Sequence, residues 1–307
     1  RERQRVRRHA RLGLAPNPHP DLDADADADA DPDPDPDPTS TRDWKMSSAG
    51  GRPSGVVRLI VISDTHGFEG ALTGDSTHPH LRPGPGGGAG QAADGEPLGL
   101  LPEGDVHVHV HDGEPLGLLP EGDVLVHCGD WAAGSGRNPR LSAIRAAKLD
   151  EWLCRQPQPV KLVVRGNHDP VNASFPRSGA RYVTSPSEIE ACGLSFACVP
   201  YGKGPLRGSL PRGEVLVTHV PPKRCLDKAT SGEDAGSEGL RSAVKRSRDK
   251  PRVWLFGHIH EGAGACRVRF GRRTDGATTL VNAANANPGP ARRLVRGPIV
   301  LDLEKCK

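Results

Sequence analysis

Five short blocks rich in histidine and aspartate could together hold two metal ions. They offer imidazoles, carboxylates and one side-chain amide, which are ligands that divalent transition metals take at hydrolytic sites. None of the five contains a thiol, so the pattern disfavours a structural zinc site. Two such ions held side by side can activate water to hydrolyse a phosphoester. In chain order the blocks are Asp64-Thr65-His66, Gly129-Asp130, Gly166-Asn167-His168-Asp169, Thr218-His219 and Gly257-His258-Ile259-His260.

Two of these blocks pair ligand-type residues at positions i and i+2. In an extended chain Asp64 and His66 lie on one face, and so do His258 and His260. In that geometry each pair can bind one ion. One such pair is a weak signal, because surface turns and buried histidines also produce it. All five blocks in order make a far more specific pattern.

Each block directly follows a run of β-forming residues. In open α/β sheets the carboxyl ends of the strands form the edge at which ligands bind. Five strand ends would therefore bring the candidate ligands to one shared edge. The predicted strands are Val57–Ile62, Val124–Val126, Leu162–Val164, Val215–Val217 and Val253–Phe256.

The remaining pattern predicts an α/β fold. Helices are expected over Leu141–Arg155 and around Glu238–Arg246, the first with an apolar face that includes Leu141, Ile144 and Trp152. Alternating strands and helices followed by a strand-rich end predict two sheets packed face to face with helices outside. Further strands are expected at Leu194–Val199, Cys266–Phe270, Thr278–Val281 and Pro298–Leu303.

The first 55 residues differ from the rest in composition. An arginine-rich start is followed by aspartate alternating with alanine and then proline, a low-complexity tract that cannot bury apolar surface. We predict a disordered extension over 1–55 and one domain over 56–307. The only methionine is Met46, so we expect translation to start there.

A thirteen-residue phrase, DGEPLGLLPEGDV, occurs twice, at 94–106 and again at 112–124. Only the second copy leads through an apolar strand into Gly129-Asp130, so we assign the strand to Asp123–His127 and select Asp130 over Asp112. Residues 68–120 are predicted to be a Gly/Pro-rich, partly duplicated surface loop. Histidines at 107, 109 and 111 could chelate metal, but we favour an exposed edge without function.

The ordered blocks resemble the calcineurin-like metallophosphoesterase superfamily, whose pattern is DxH, GD, GNH[DE], H and GHxH. The resemblance covers about Arg58 to Leu303 and implies a four-layer αββα sandwich of two mixed β-sheets with flanking helices. The phrases LPEGDVLVHCGD, KLVVRGNHD, VTHVPP and LFGHIHEG are most similar to the branch of small metallophosphoesterase-domain-containing proteins.

The resemblance also implies roles for individual residues. One metal would be held by Asp64, His66, Asp130 and His260, and the other by Asp130, Asn167, His219 and His258, with Asp130 bridging the two ions. His168 matches the residue that contacts the phosphoryl group or protonates the leaving oxygen, and Asp169 would orient its imidazole. Some members of the branch replace the residue that matches His258, and this chain keeps it.

These features predict a metal-dependent phosphoester hydrolase with two divalent ions, Mn, Fe, Zn or Co, and a bridging hydroxide. The ions outweigh the negative charge of Asp64, Asp130 and the hydroxide, so the site would attract phosphate. We favour a phosphodiesterase acting on a small phosphodiester such as a cyclic nucleotide. The alternatives are a phosphomonoesterase and a non-catalytic nucleotide-binding or scaffold protein on the same fold.

Composition narrows the partners and the location. No apolar run approaches the roughly 20 residues needed to span a bilayer, and no secretory signal is recognisable. Seven cysteines are scattered singly without a CxxC pair, which favours reduced thiols and a cytoplasmic protein. The net charge of +3 comes without a basic, aromatic-lined groove, so we expect a small phosphorylated substrate and no nucleic acid or membrane partner.

Three further residues beside the blocks have competing interpretations. His127 and Cys128 adjoin Asp130, but six ligand blocks would overfill two metal sites, so we predict that both are packing residues. Arg165 precedes Gly166 and could contact substrate phosphate or be an ordinary surface charge.

Overall fold

A computed structural model describes residues 54–67, 106–110, 118–132, 134, 138–202, 209–271, 276–288 and 294–305. All of them belong to the unit Thr41–Lys307. The predicted extension, except for its last two residues, lies outside this part of the chain, as do Met46 and the first twelve residues of the first repeat copy. No helix in the described ranges is long and apolar enough to cross a bilayer.

The described residues form two six-stranded sheets, two α-helices and one turn of 3-10 helix at His260–Gly262. The first sheet has the order β2-β12-β1-β3-β4-β5 and the second the order β10-β11-β9-β8-β7-β6. The elements are β1 Val56–Ile62, β2 Val106–Val110, β3 Val124–His127, α1 Pro139–Arg155, β4 Val160–Val164, β5 Arg181–Val183, β6 Ser187–Ala191, β7 Leu194–Val199, β8 Val215–Thr218, α2 Glu238–Arg246, β9 Val253–Phe256, β10 Gly264–Val268, β11 Thr278–Asn282 and β12 Ile299–Glu304.

Both sheets are mixed, and their central strands run parallel. β1, β3 and β4 are parallel neighbours in the first sheet, as are β8 and β9 in the second. β12 runs antiparallel to β1, and β10 runs antiparallel to β11. Every strand that precedes a ligand block is therefore in a parallel group, and its carboxyl end lies at the same edge as its neighbours' ends.

The strands are apolar on both faces because each sheet is covered on both sides. Along β1, Leu59 and Val61 join the core between the two sheets, whereas Ile60 and Ile62 pack in the cluster that contains Leu149 and Trp152 of α1. On the outer face of the second sheet, a third cluster includes residues of β8 and β9 and Val244 of α2. The predicted αββα sandwich is confirmed.

The helix that follows the second block begins at a capped residue. The Asn138 side chain accepts hydrogen bonds from the backbone amides of Arg140 and Leu141, which would otherwise lack helical partners. The predicted apolar face is wrong in the first half of α1, because Leu141 and Ile144 are 46% and 45% exposed. Burial is concentrated in the second half, which packs on the sheet.

Of the predicted loop over 68–120, the structure describes 106–110 and 118–120, and 106–110 differs from the prediction. Val106–Val110 form β2, which pairs antiparallel with β12 at the edge of the first sheet. Its Val-His alternation has the period of a strand, and β12 offers it an edge on the side away from β1. The second repeat copy runs into β3, as assigned from the sequence, and β3 occupies the sheet centre between β1 and β4.

Candidate metal centre

The five blocks meet where the carboxyl edges of the two sheets approach each other. In the first sheet, the backbone amides of Asp64 and His66 donate to the carbonyls of Gly129 and Asp130, both at 2.9 Å. In the second sheet, the amide of Gly257 donates to the carbonyl of His219 at 3.0 Å. The His258 amide then joins the two sheets by donating to Asp64 Oδ2 at 2.9 Å.

Asp64, His66 and His260 form one cluster of candidate ligands, called the Asp64 group below; its ligand atoms lie within 4.8 Å of one another. His260 Nε2 is 3.4 Å from both His66 Nε2 and Asp64 Oδ1. His260 Nδ1 is 2.9 Å from the carbonyl of Asn287 and must donate to it, so Nε2 of the neutral ring has a free lone pair.

The carboxylate in this group has a buried oxygen to which no described residue donates a hydrogen bond. Asp64 is fully buried, and its Oδ1 has no hydrogen-bond partner in the described part of the chain. Although burial favours the neutral acid, the nearby His260 and His219 and the His258 amide keep the pKa of Asp64 well below its usual value. With His260 neutral, this anionic oxygen faces an imidazole lone pair, and a cation between the two would offset the negative charge as a proton on His260 would. The Asp64 group therefore fits a metal ion.

The second cluster, called the Asp130 group, contains Asp130, His219 and His258, again with ligand atoms within 4.8 Å. His219 Nδ1 lies 3.0 Å from the carbonyl of Cys128, so Nε2 faces the other ligands. Nε2 is 2.8 Å from Asn167 Oδ1, 3.1 Å from His258 Nδ1 and 3.4 Å from Asp130 Oδ1. The structure thus brings Asn167 to this group, as the sequence predicts.

The Asp130 group also lies in a strongly negative environment. Burial lowers the pKa of His219, but the negative charges of Asp130 and Asp64 outweigh that effect and raise this pKa to about 9. A divalent ion at Nε2 would satisfy the same charges by replacing the proton. Burial and the neighbouring His219 lower the pKa of His258 to about 4, which leaves its imidazole neutral, as a ligand must be.

The backbone of the ligands differs from the predicted extended conformation. Asp64, His66, Asp130 and His258 all have left-handed backbone conformations, with φ of 55°, 50°, 58° and 70°. Non-glycine residues rarely adopt this region, and it occurs mainly at sites where function offsets the strain. Asp64 and His66 lie in the same group, whereas His258 and His260 lie in different groups, the arrangement that the family resemblance implies. Which ion each residue binds stays a prediction.

Gly166 is needed because the third block passes directly over Asp130. A Cβ atom at Gly166 would lie 2.2 Å from Asp130 Oδ1 and 2.3 Å from its backbone nitrogen. We expect Gly166→Ala to displace Asp130 and to weaken binding of Mn²⁺ at least tenfold, measured by titration calorimetry. Gly239→Ala is the matched control, because its new Cβ would have only one neighbour, at 3.8 Å. Unchanged affinity in Gly166→Ala would contradict the fixed position of Asp130.

Asp169 has a role that the sequence did not predict. Its carboxylate accepts hydrogen bonds from the backbone amides of Asp130, Ala132 and Gly166, at 2.8, 2.9 and 2.8 Å. It therefore links the second block to the third; that it also orients the His168 imidazole stays a prediction. Burial and the charge of Asp130 raise the pKa of Asp169 to about 8. Divalent cations next to Asp130 would favour the charged form.

His168 lies at the accessible side of the centre. Its side chain is 28% exposed, and Nε2 is 3.8 Å from Asp130 Oδ2. The ring packs edge-on against His66 with centroids 5.6 Å apart, and its backbone amide donates to Asp130 Oδ1 at 2.8 Å. This position suits a residue that reaches a substrate bound between the two groups.

His127 and Cys128 contact residues of the blocks through hydrogen bonds but belong to neither candidate metal group. The Gly129 amide donates to His127 Nδ1 at 3.1 Å, so Nε2 carries the hydrogen and contacts the Thr65 hydroxyl at 2.9 Å. Burial lowers the pKa of His127 to about 3, so its ring is neutral. Cys128 contributes its carbonyl to His219.

Several contributors were missed or misread in the sequence. Asn285 and Asn287 follow β11 and contact the blocks through Ser63 and His260. The Arg165 guanidinium donates to the Tyr201 carbonyl and lies 5.9 Å from the centroid of the Tyr201 ring, so Arg165 is not a free surface charge. Its contact with substrate phosphate stays a prediction. The Tyr201 ring is 6.2 Å from the ring of His219. For Asn285 and Asn287, the only signal in the sequence was the spacing of the asparagines in VNAANAN, directly after a predicted strand.

The chain belongs to the calcineurin-like phosphoesterase family, whose model matches residues 57–262. It is similar to human metallophosphoesterase domain-containing protein 1, with 30% identity over an alignment of 204 residues; the match covers 51% of this chain and 59% of that protein. It is also similar to UPF0046 protein K07C11.7 of Caenorhabditis elegans, with 28% identity over 52% of this chain and 62% of the relative. The matches thus span about three fifths of the length of these relatives.

Among solved structures, the chain is similar to TT1561 of Thermus thermophilus. The identity is 12%, the TM-score is 0.39, and the match covers 74% of this chain and 88% of that one.

Proposed function

We propose that this protein is a metal-dependent phosphoester hydrolase, and specifically a phosphodiesterase that acts on a small phosphodiester such as a cyclic nucleotide. The buried, donor-free Oδ1 of Asp64 carries the metal part of the proposal. It faces imidazole nitrogens, and a second cluster of acceptors lies directly beside it. Membership of the calcineurin-like phosphoesterase family supports the hydrolytic part.

The donor set fits two divalent ions such as Mn, Fe, Zn or Co. The Asp64 group would hold one ion, and the Asp130 group together with Asn167 would hold the other. Asp130 as a bridge between them stays a prediction. When bound, such ions attract phosphate, activate water and stabilise the negative charge that develops during hydrolysis.

The protein's own residues contribute orientation and a proton. Backbone carbonyls of Cys128 and Asn287 fix the rings of His219 and His260, so that one nitrogen of each faces the centre. His168 is the accessible group next to Asp130 and would contact the phosphoryl oxygens or protonate the leaving oxygen.

The substrate and location are parts of the same proposal. The resemblance of the five blocks and the intact His258 favour an active diesterase over a nucleotide-binding scaffold. Six cysteines in the described residues are free thiols, which supports a reducing cytoplasmic location.

Metal-dependent hydrolysis of two model esters tests the proposal. The chelator-treated full chain should be inactive and should regain activity with Mn²⁺. It should then cleave bis(p-nitrophenyl) phosphate at least tenfold faster than p-nitrophenyl phosphate, measured by release of nitrophenolate. Preference for the monoester would establish the phosphomonoesterase instead. Inactivity on both esters with every divalent metal would contradict the hydrolase and favour the scaffold.

A further inference from the structure

Asn285 lies in the segment that follows β11 and crosses to the first sheet. It is 1% exposed and makes polar contacts with both the side chain and the backbone. Its Oδ1 accepts the Ser63 amide at 2.9 Å, and its own amide donates to the Ser63 carbonyl at 3.0 Å. Its Nδ2 donates to the carbonyls of Arg296 and Gly297 at 3.1 and 2.8 Å.

These contacts fix the residue that immediately precedes Asp64. Both backbone polar groups of Ser63 are bonded to Asn285, and the Asp64 amide is bonded to the Gly129 carbonyl. The peptide group that precedes the Asp64 Cα is therefore held at both its carbonyl and its amide, next to a residue with a left-handed φ of 55°. Without the Asn285 side chain, the Ser63 amide would lose its acceptor and Asn285 its bonds to the Arg296 and Gly297 carbonyls, so the strained conformation of Asp64 would be held less firmly.

The same segment also reaches His260. Two residues after Asn285, the Asn287 carbonyl accepts His260 Nδ1 at 2.9 Å. The Arg296 guanidinium donates to the Ala286 carbonyl at 2.9 Å and so braces the intervening turn. Two of the three members of the Asp64 group therefore depend on one short stretch of backbone.

The Asp130 group is held by different contacts. His219 Nδ1 contacts the Cys128 carbonyl, and the Asp130 amide donates to Asp169. Neither contact includes the segment after β11; the link between the two groups is the bond from the His258 amide to Asp64 Oδ2. Loss of Asn285 should therefore affect the two groups unequally.

We propose that Asn285 is a positioning residue for the metal ion of the Asp64 group, because it fixes the Ser63–Asp64 backbone and the turn that orients His260. The inference rests on the proposed two-metal centre. Residues that orient metal ligands change metal affinity by about 10- to 100-fold when they are removed.

Mn²⁺ binding by the full chain tests this role without any activity measurement. Asn285→Ala should bind about one ion instead of two near micromolar Mn²⁺, and electron paramagnetic resonance should change from a coupled to a mononuclear spectrum. Combined with His66→Ala, it should cause no further loss of Mn²⁺. Combined with His258→Ala, it should remove the remaining ion.

Gln158→Ala is the matched control for a purely structural effect. Gln158 is also fully buried and donates to a backbone carbonyl, that of Pro120 at 2.6 Å, which precedes β3 at the opposite end of the sheet. This variant should lose stability but still bind two ions. Two ions bound with wild-type affinity by folded Asn285→Ala would overturn the inference.

If Asn285→Ala does not fold, Arg296→Met is the second variant, because it removes the guanidinium bonds to the Ala284 and Ala286 carbonyls of the same segment and keeps the Asn285 side chain. It should weaken one Mn²⁺ site and leave the other unchanged; wild-type affinity at both sites would overturn the inference. Fewer than two ions bound by the wild-type protein would overturn the proposed function itself, so the two failures are distinguishable.

Discussion

Asp130→Ala should lower hydrolysis of bis(p-nitrophenyl) phosphate at least about a thousandfold and remove both metal ions. Asp130 is 2% exposed and supplies the only carboxylate of the Asp130 group. Burial and the charge of Asp64 raise the pKa of Asp130, but the neighbouring His219 and the His168 amide outweigh them and lower it below its usual value, so Asp130 is anionic. If it bridges the ions as predicted, its loss removes a ligand from each.

Metal content measured by mass spectrometry on the purified protein checks this expectation. Asp130→Asn is a matched variant, because it keeps an acceptor for the His168 amide but lacks the negative charge. Asp150→Ala controls for the loss of a buried aspartate. Among the described residues, the Asp150 carboxylate accepts hydrogen bonds only from Arg177 and Ser178, and Asp150 lies outside both groups. Two ions retained by Asp130→Ala would contradict the assignment of Asp130 as a bridging ligand.

His168→Ala should keep both ions and lower kcat by about 10² to 10⁴, the usual contribution of a general acid or base. The bond from its backbone amide to Asp130 Oδ1 persists in any variant, so the metal groups should stay intact. What disappears is the exposed imidazole whose Nε2 lies 3.8 Å from Asp130 Oδ2. Steady-state kinetics and metal content together distinguish this outcome from that of Asp130→Ala.

The leaving group gives a sharper test of the proton transfer. If His168 protonates the leaving oxygen, the loss in His168→Ala should be smallest for aryl esters with acidic phenols, which need no proton to depart. A loss that is equal for all leaving groups would indicate contact with the phosphoryl oxygens instead. Loss of a metal ion would contradict both roles and show that His168 is a ligand.

The sequence predicted the fold well where local pattern and burial agree. α2 and β7 have the predicted bounds because their spacing and apolar runs match the surfaces that cover them. The predicted apolar face was wrong for the first half of α1, because Leu141 and Ile144 lie in the part of the helix that does not pack on the sheet. β2 was read as loop because a single edge strand depends on a partner, β12, about 190 residues later in the chain.

The sequence by itself determined which side chains reach the centre, because each ligand block ends an apolar strand and parallel strands bring their ends to one edge. Strand spacing alone left their grouping open, and the family resemblance assigned His258 and His260 to different metals; only the tertiary structure decided the contacts behind that grouping. The Asp64 carboxylate accepts a hydrogen bond from the amide of His258, 194 residues away, and His258, with its left-handed backbone, lies in a different group from His260. The hydrogen bonds from the Asp130 and Ala132 amides to Asp169, and from the Ser63 amide to Asn285, also join residues that are far apart in the sequence. Spacing along a strand predicts the face on which a side chain lies. It does not predict contacts between residues of different sheets, because those contacts form only when the two sheet edges meet.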